Sequence, residues 1–452
     1  MSDVKLNLRE EIRTKNMWQL MAKLTPVAVL AMSINSINTF VDALFIGQFL
    51  GEKALAAVSL AFPLAFLTNS FAAMLGVGGS SILSIAIGAK DEEIQKKSFG
   101  TIIFLSLIVS FFLTTFGWVF AEDMIAAIGG KGEILELGAL YFQTLILGAF
   151  FQIFAVSLSM LIRAEGKINE AMTIAMISMV ANMILNPLFI GYLDMGIAGA
   201  AYATIISMVI FAVLVIWYFV TKRASYEVDL TYFKLEKKIA RPVITIGISA
   251  MMLQLMFVVQ QVVVFKMIAR YGNDWDIAFM GACYRILILM LVPGFGFSTA
   301  LQPVAGINFG AKDYPRVKKA FWTFSIGSTI LTTVLLILLQ IFPTAVLGLM
   351  LPEAVFTPED IFNFRIMMSP GFMFSFFFMA IILYQSIGDA KTAGFVMILR
   401  EVVFFIPFVI ILPIWWGLTG IYATPVIQNI ITLTIAIYLV FKLFKKWDME
   451  TV

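Results

Sequence analysis

Residues 196–220, GIAGAAYATIISMVIFAVLVIWYFV, contain no charged side chain. A helix needs about 20 predominantly apolar residues to cross the hydrocarbon core of a bilayer, and this run supplies them. Runs of the same kind recur at about 22–42, 52–77, 98–120, 137–161, 168–190, 196–220, 240–266, 279–302, 320–343, 361–386, 393–413 and 418–441. Hydrocarbon offers no hydrogen bonds to an open backbone, so each run is expected to be a helix. A membrane β-barrel would show short alternating segments instead of these long continuous ones. The predicted fold is therefore an all-α polytopic membrane protein with 12 transmembrane helices.

Composition points the same way. Of 452 residues, 61% are hydrophobic and only 13% charged, about half the charged fraction of an ordinary soluble domain. Phe and Met, 43 and 26 residues, suit lipid contact and the walls of an accommodating cavity. One cysteine, Cys283, excludes an internal disulfide, and the absence of histidine removes the usual zinc, haem and proton-relay ligand. No GxxxxGK[ST] loop offers a nucleotide site. No catalytic Ser arrangement or paired acid suggests an enzyme, and no cofactor is expected.

With the N-terminus inside, twenty-four of the 31 Lys and Arg residues fall on the cytoplasmic side, five outside, and Arg285 and Arg400 within spans. That bias places both termini in the cytoplasm. The basic clusters read as topology signals and contacts with anionic lipid, not as a nucleic-acid surface. Residues 1–20 are charged and amphipathic and read as an interfacial segment, not a cleavable signal peptide.

The chain repeats itself. Gly88-Ala89-Lys90-Asp91 recurs as Gly310-Ala311-Lys312-Asp313, Gly166 as Gly388, and the pair Gly196 and Gly199 as Gly417 and Gly420. Gly76-Val77-Gly78 has a counterpart in Gly294-Phe295-Gly296. Constant offsets over half the chain predict two parallel six-helix repeats around a central cleft, an architecture of transporters. The expected parts are a six-helix bundle over 21–220, a polar linker over 221–238, a second bundle over 239–443 and a cytoplasmic tail over 444–452. A duplicated chain encloses its own pathway, so a functional monomer is expected.

Ionisable groups inside a membrane are costly and mark function. Asn35, Asn38 and Asp42 share one face of the first span, and Asp42 is the one acid of that span. A carboxylate in a site of low dielectric can be charged or neutral according to its surroundings, which suits ion coupling; the bland reading is a cap at the outer helix end. Asn182 and Asn186 lie one turn apart just before Pro187, where the helix should loosen. With Asp42 they could form a proton site, or hold a sodium ion in a sodium-coupled protein; packed-helix glue is the competing reading. Asn35, Gln143, Gln152, Gln254, Gln260, Gln261 and Arg285 are candidates for the substrate cavity. Arg400 and Glu401, near a span end, could snorkel or pair elsewhere.

The segments Asn38-Thr39-Phe40-Val41-Asp42, Phe45-Ile46-Gly47 through Gly51, Ala54 to Val58, Gly88-Ala89-Lys90, Arg163-Ala164-Glu165-Gly166, Asn182 to Pro187 and Gly196 to Ala201 resemble the multidrug and toxic compound extrusion (MATE) family. The chain is most similar to its bacterial branch with the coupling site in the N-terminal half. The resemblance implies a secondary exporter of bulky, often cationic compounds from the cytoplasm across a bacterial cell membrane. A proton is the preferred exchange ion and sodium the other choice. It places the first-helix carboxylate on Asp42 and the fifth-helix asparagine on Asn182. Relatives often carry aspartate at the next position, where this chain has Asn186. Another branch uses acids in the seventh and tenth helices, which here offer only Gln254, Gln260 and Gln261. The alternative function is a flippase for lipid-linked oligosaccharides or polyprenyl precursors, whose pyrophosphate would call for a cationic cavity.

Overall fold

A computed structural model describes residues 10–229, 231–351 and 354–450, and among them every regular element is helical. Residues 1–9 of the expected amphipathic segment and 451–452 of the expected tail lie outside the described residues. The long helices are α1 (Met17–Leu50), α2 (Glu52–Ala89), α3 (Glu92–Val119), the short α4 (Ala121–Ile128), α5 (Gly132–Ile146), α6 (Ala149–Ala164), α7 (Ile168–Pro187) and α8 (Gly196–Val220). They continue as α9 (Lys237–Tyr271), α10 (Asp274–Gly310), α11 (Tyr314–Ile341), the short α12 (Pro343–Met350), α13 (Pro358–Met368), α14 (Gly371–Ser386), α15 (Ala390–Ile398) and α16 (Ile406–Glu450). Among the described residues ten helices are long and apolar enough to cross a membrane, or eleven if α5 and α6 are counted as one bent span.

The sequence reading differs from the structure in two places. The run expected at 137–161 is broken, α5 and α6 meeting at 52° around Leu147 and Gly148. Conversely, 393–413 and 418–441 are joined in one helical stretch, Ala390–Met449. It contains a π-helical turn at Leu399–Phe405 and a kink at Gly417, whose φ of 56° and ψ of −141° are non-helical. Hydropathy marks apolar length but not where the backbone turns, and that accounts for both differences.

The repeated motifs adopt the same local structure. Lys90 and Lys312 are both left-handed, each with φ 60°. Asp91 and Asp313 each cap the next helix, accepting from Ile94 N and Arg316 N at 3.1 Å. Such a cap satisfies one of the backbone donors that a helix start leaves unpaired. Gly166 and Gly388 both have positive φ, as do Gly196 and Gly417.

The residues group into two compact units. The first comprises Leu30–Met251, Gly306–Lys312 and the described residues up to Lys15; the second comprises Asn16–Val29, Met252–Ala305 and the described residues from Asp313. In the first, α2 is the enclosed helix, packed by α5 and α6, while α8 packs on α7. Phe111 and Phe112 of α3 point outward at 67% and 66% exposure, as lipid-facing side chains do. Near its C-terminal end α2 meets the tip of α10 backbone to backbone. A Cβ on Gly88 would lie 2.0 Å from the Ile307 carbonyl, and one on Gly310 2.0 Å from that of Ile85. In the second unit α11 packs on α14 and α13 on α16, around a core that includes Phe279, Phe364 and Tyr422.

Candidate functional site

The first unit gathers Asn38, Asp42, Asn182 and Asn186 into one cluster. On α1, Asn38 and Asp42 are one turn apart, and Asn38 Nδ2 donates to Asp42 Oδ2 at 3.2 Å. From α7, Asn186 Nδ2 donates to Asp42 Oδ1 at 2.5 Å. The Asn182 amide fits with its nitrogen toward the carboxylate, 2.9 Å from Oδ1 and 3.1 Å from Oδ2. Asn182 and Asn186 are 3% and 1% exposed, whereas Asp42 and Asn38 are half-buried. Three amides thus aim N–H groups at one carboxylate, each such charge-assisted bond being stronger than a neutral one.

Pro187 explains the local backbone. It has no N–H to donate, so the ladder of α7 cannot continue unchanged. A π-helical turn, Leu188–Tyr192, follows at once, a feature that recurs at functional positions in helices. Two groups that sequence reasoning missed complete the surroundings. Thr204 Oγ1 on α8 lies 3.5 Å from the Asn182 amide, and Tyr141 on α5 is within electrostatic reach of Asp42. Neither carries a sequence signal: a threonine and a tyrosine in apolar runs are ordinary until the packing is known.

The other candidates scatter. Asn35 is exposed, with its carbonyl accepting from Thr39 Oγ1 at 3.2 Å. Gln143 Nε2 donates to the Trp118 carbonyl at 3.4 Å, a bond between α5 and the end of α3, and Gln152 is half-buried on α6. In the second unit Gln254, Gln260 and Gln261 are half-buried along α9. Arg285 is exposed on α10, while its neighbours Tyr284 and Ile286 are buried. Arg400 and Glu401 do not snorkel: both are buried, and they pair with each other.

A further carboxylate sits at the turn between α6 and α7. Glu165, fully buried, accepts hydrogen bonds from Tyr218 Oη and from the backbone N–H of Ser225, holding the start of the linker against the unit. Burial pushes its carboxyl above the usual carboxylate range despite those bonds. Among the described residues no three of Asp, Glu, Cys or His come together as a metal site would require.

A family model described as MatE matches residues 27–188 and 249–411. The chain is similar to the multidrug export protein MepA of Staphylococcus saprophyticus, 27% identical over 403 residues and 88% of each chain. It is also similar to the probable multidrug resistance protein YoeA of Bacillus subtilis, 26% identical over 345 residues, 75% of this chain and 74% of that one. Among solved structures, a MATE crystallised in the bent conformation superposes with a TM-score of 0.92 at 24% identity, over 98% of this chain and 99% of the other. An outward-facing multidrug resistance MATE family transporter gives 0.91 at 24% identity, over 98% and 99%. At that identity the structural likeness is one of fold.

Proposed function

The chain belongs to the MATE family, and from that premise we propose that it exports bulky, often cationic organic compounds from a bacterial cell in exchange for protons bound at Asp42. The observation that carries the coupling site is the cluster itself: a carboxylate in a membrane unit, met by amide N–H groups from Asn38, Asn182 and Asn186. Such a group takes up a proton or gives it away as its surroundings open to one side or the other. Sodium fits the arrangement poorly. A hard cation needs oxygen ligands, yet the Asn38 and Asn186 amides turn nitrogen toward the carboxylate, and both would have to rotate to offer their oxygens.

The helices support a reading of twelve spans. The bent pair of α5 and α6 supplies one, and Ala390–Met449, about 90 Å long at the helical rise, supplies two with its break at Gly417. Matching turns at Lys90 and Lys312 support two six-helix repeats with both termini in the cytoplasm. The repeats rock to give alternating access, and one chain suffices. The flippase reading is the weaker one, since Arg400 is buried and already paired with Glu401, which leaves Arg285 as the one span arginine that could offer a cavity its charge.

Efflux of a cationic dye from proteoliposomes, with a pH or a sodium gradient imposed separately, tests the proposal. A pH gradient should drive efflux in the wild type and not in Asp42→Asn, and a sodium gradient should drive none. Efflux that survives the substitution would move coupling to another residue.

A further inference from the structure

The second unit encloses an ion pair for which exchange at Asp42 has no use. Arg400 and Glu401 lie on the π-helical turn Leu399–Phe405 and are 3% and 4% exposed. Arg400 Nη1 donates to Glu401 Oε1 at 2.6 Å. Its guanidinium carbon lies 4.7 Å and 4.8 Å from the ring centres of Phe374 and Phe377 on α14. Gln428 Nε2 on α16 donates to the Arg400 carbonyl at 2.8 Å. Neighbouring residues on a regular helix do not face each other, so the widened turn and the phenylalanine wall together make this contact.

The cluster is half satisfied. Arg400 Nε, Glu401 Oε2 and Gln428 Oε1 are buried without a hydrogen-bond partner. An ion pair kept for packing gains from having every polar atom bonded, and a partly bonded one is worse than an apolar core. Unsatisfied charged atoms inside a membrane unit therefore call for an occupant. The offsets that relate the two halves place this turn on the counterpart of α7, the helix that carries Asn182 and Asn186 and has its own π-helical turn. The acid is on neither the seventh nor the tenth span, where the sequence offers glutamines.

We propose that Glu401 is a second proton-carrying carboxyl of the exporter, with Arg400 as its internal counter-ion. Ionised, Glu401 pairs with Arg400. On protonation an O–H bond forms at Oε2, the proton coming from the aqueous phase, and the ion pair gives way to a hydrogen bond from the still-charged guanidinium to a neutral carboxyl, the charge resting on the two phenylalanine faces. Release returns the proton to water and restores the pair. The ionisable groups around Glu401 are few: Arg400 on its own turn and, from α10, Tyr284 within electrostatic reach. Phe374 and Phe377 on α14 and Gln428 on α16 are uncharged, and the charge on α15, Lys391, is ten residues back, about 15 Å along the helix.

The proposal rests on the exporter reading for its use in transport but not for the titration itself. Infrared spectra of detergent-purified Asp42→Asn protein are recorded across neutral pH and compared with Asp42→Asn/Glu401→Gln, in which Gln keeps an acceptor for Arg400. A protonated-carboxyl absorption that grows as pH falls and is lost with Glu401→Gln is expected; identical pH-dependent spectra overturn the proposal. If that reference protein does not accumulate, Arg400→Met/Glu401→Leu, an apolar replacement of the pair, takes its place with the same two outcomes. In proteoliposomes the proton-to-substrate ratio, read from the gradient that just halts efflux, should fall by one proton in Glu401→Gln, and an unchanged ratio overturns the proposal. Lack of gradient-driven movement in the wild type would instead remove the exporter reading and leave the titration standing.

Discussion

Asn186 acts through the 2.5 Å bond from its Nδ2 to Asp42 Oδ1. A hydrogen bond to a charged group contributes about 1.5–3 kcal/mol, and one unit of 1.4 kcal/mol is tenfold in an equilibrium. Asn186→Ala should therefore slow pH-driven dye efflux about tenfold or more at unchanged protein level, while Asn35→Ala, at an exposed position, should leave it within twofold. Glu165 makes a different prediction. Its folded carboxyl is pushed above the ordinary range by burial, so the folded state prefers the protonated form. Its stabilising contribution is full at acid pH and is lost as pH rises from the ordinary carboxylate range through the raised folded value. Glu165→Gln cannot ionise, so its melting temperature in detergent should gain on the wild type as pH rises through that window. Parallel melting curves at every pH would contradict a buried, reluctantly charged Glu165.

The element scale shows where sequence was readable. Long apolar runs located the helices, because hydrocarbon leaves the backbone no other choice. The GAKD repeat reads as a duplication, and its two copies form turns of one geometry; the one-turn spacings of Asn38 with Asp42 and of Asn182 with Asn186 held because helical periodicity is fixed. The bend at Gly148 and the continuity through Gly417 were not legible, since hydropathy is blind to dihedral angles. Gly417 offers a clean test of backbone against packing. Its φ of 56° and ψ of −141° suit glycine, and a Cβ there would meet nothing within 4 Å. Gly417→Ala should cost about 1–3 kcal/mol from backbone strain alone. Gly394→Ala, equally open and within α15, should be neutral or stabilise by up to about 1 kcal/mol. Denaturant unfolding in mixed micelles separates the two.

For the whole molecule, the linker is the part whose role changes most once its contacts are known. The sequence marks 221–238 as a polar joint, yet it lies strapped along the first unit. Ser225 N–H bonds Glu165, Lys96 pairs with Glu227 at 2.7 Å, and the rings of Phe104 and Phe233 are 5.3 Å apart. Tyr232 sits so close to α3 that a Cβ on Gly100 would fall 1.6 Å from its carbonyl oxygen. Exposed ion pairs contribute little, so the buried carboxylate and this backbone contact must hold the strap. Gly100→Ala should push the Tyr232 segment off α3, because a carbonyl oxygen cannot yield as a flexible side chain can. Trypsin should then cut after Lys234 several-fold faster than in the wild type. It should do so only in inside-out vesicles, as the placement of basic residues requires. Equal cleavage rates would mean that the linker is not held at Gly100, and cleavage from the outer face would reverse the topology.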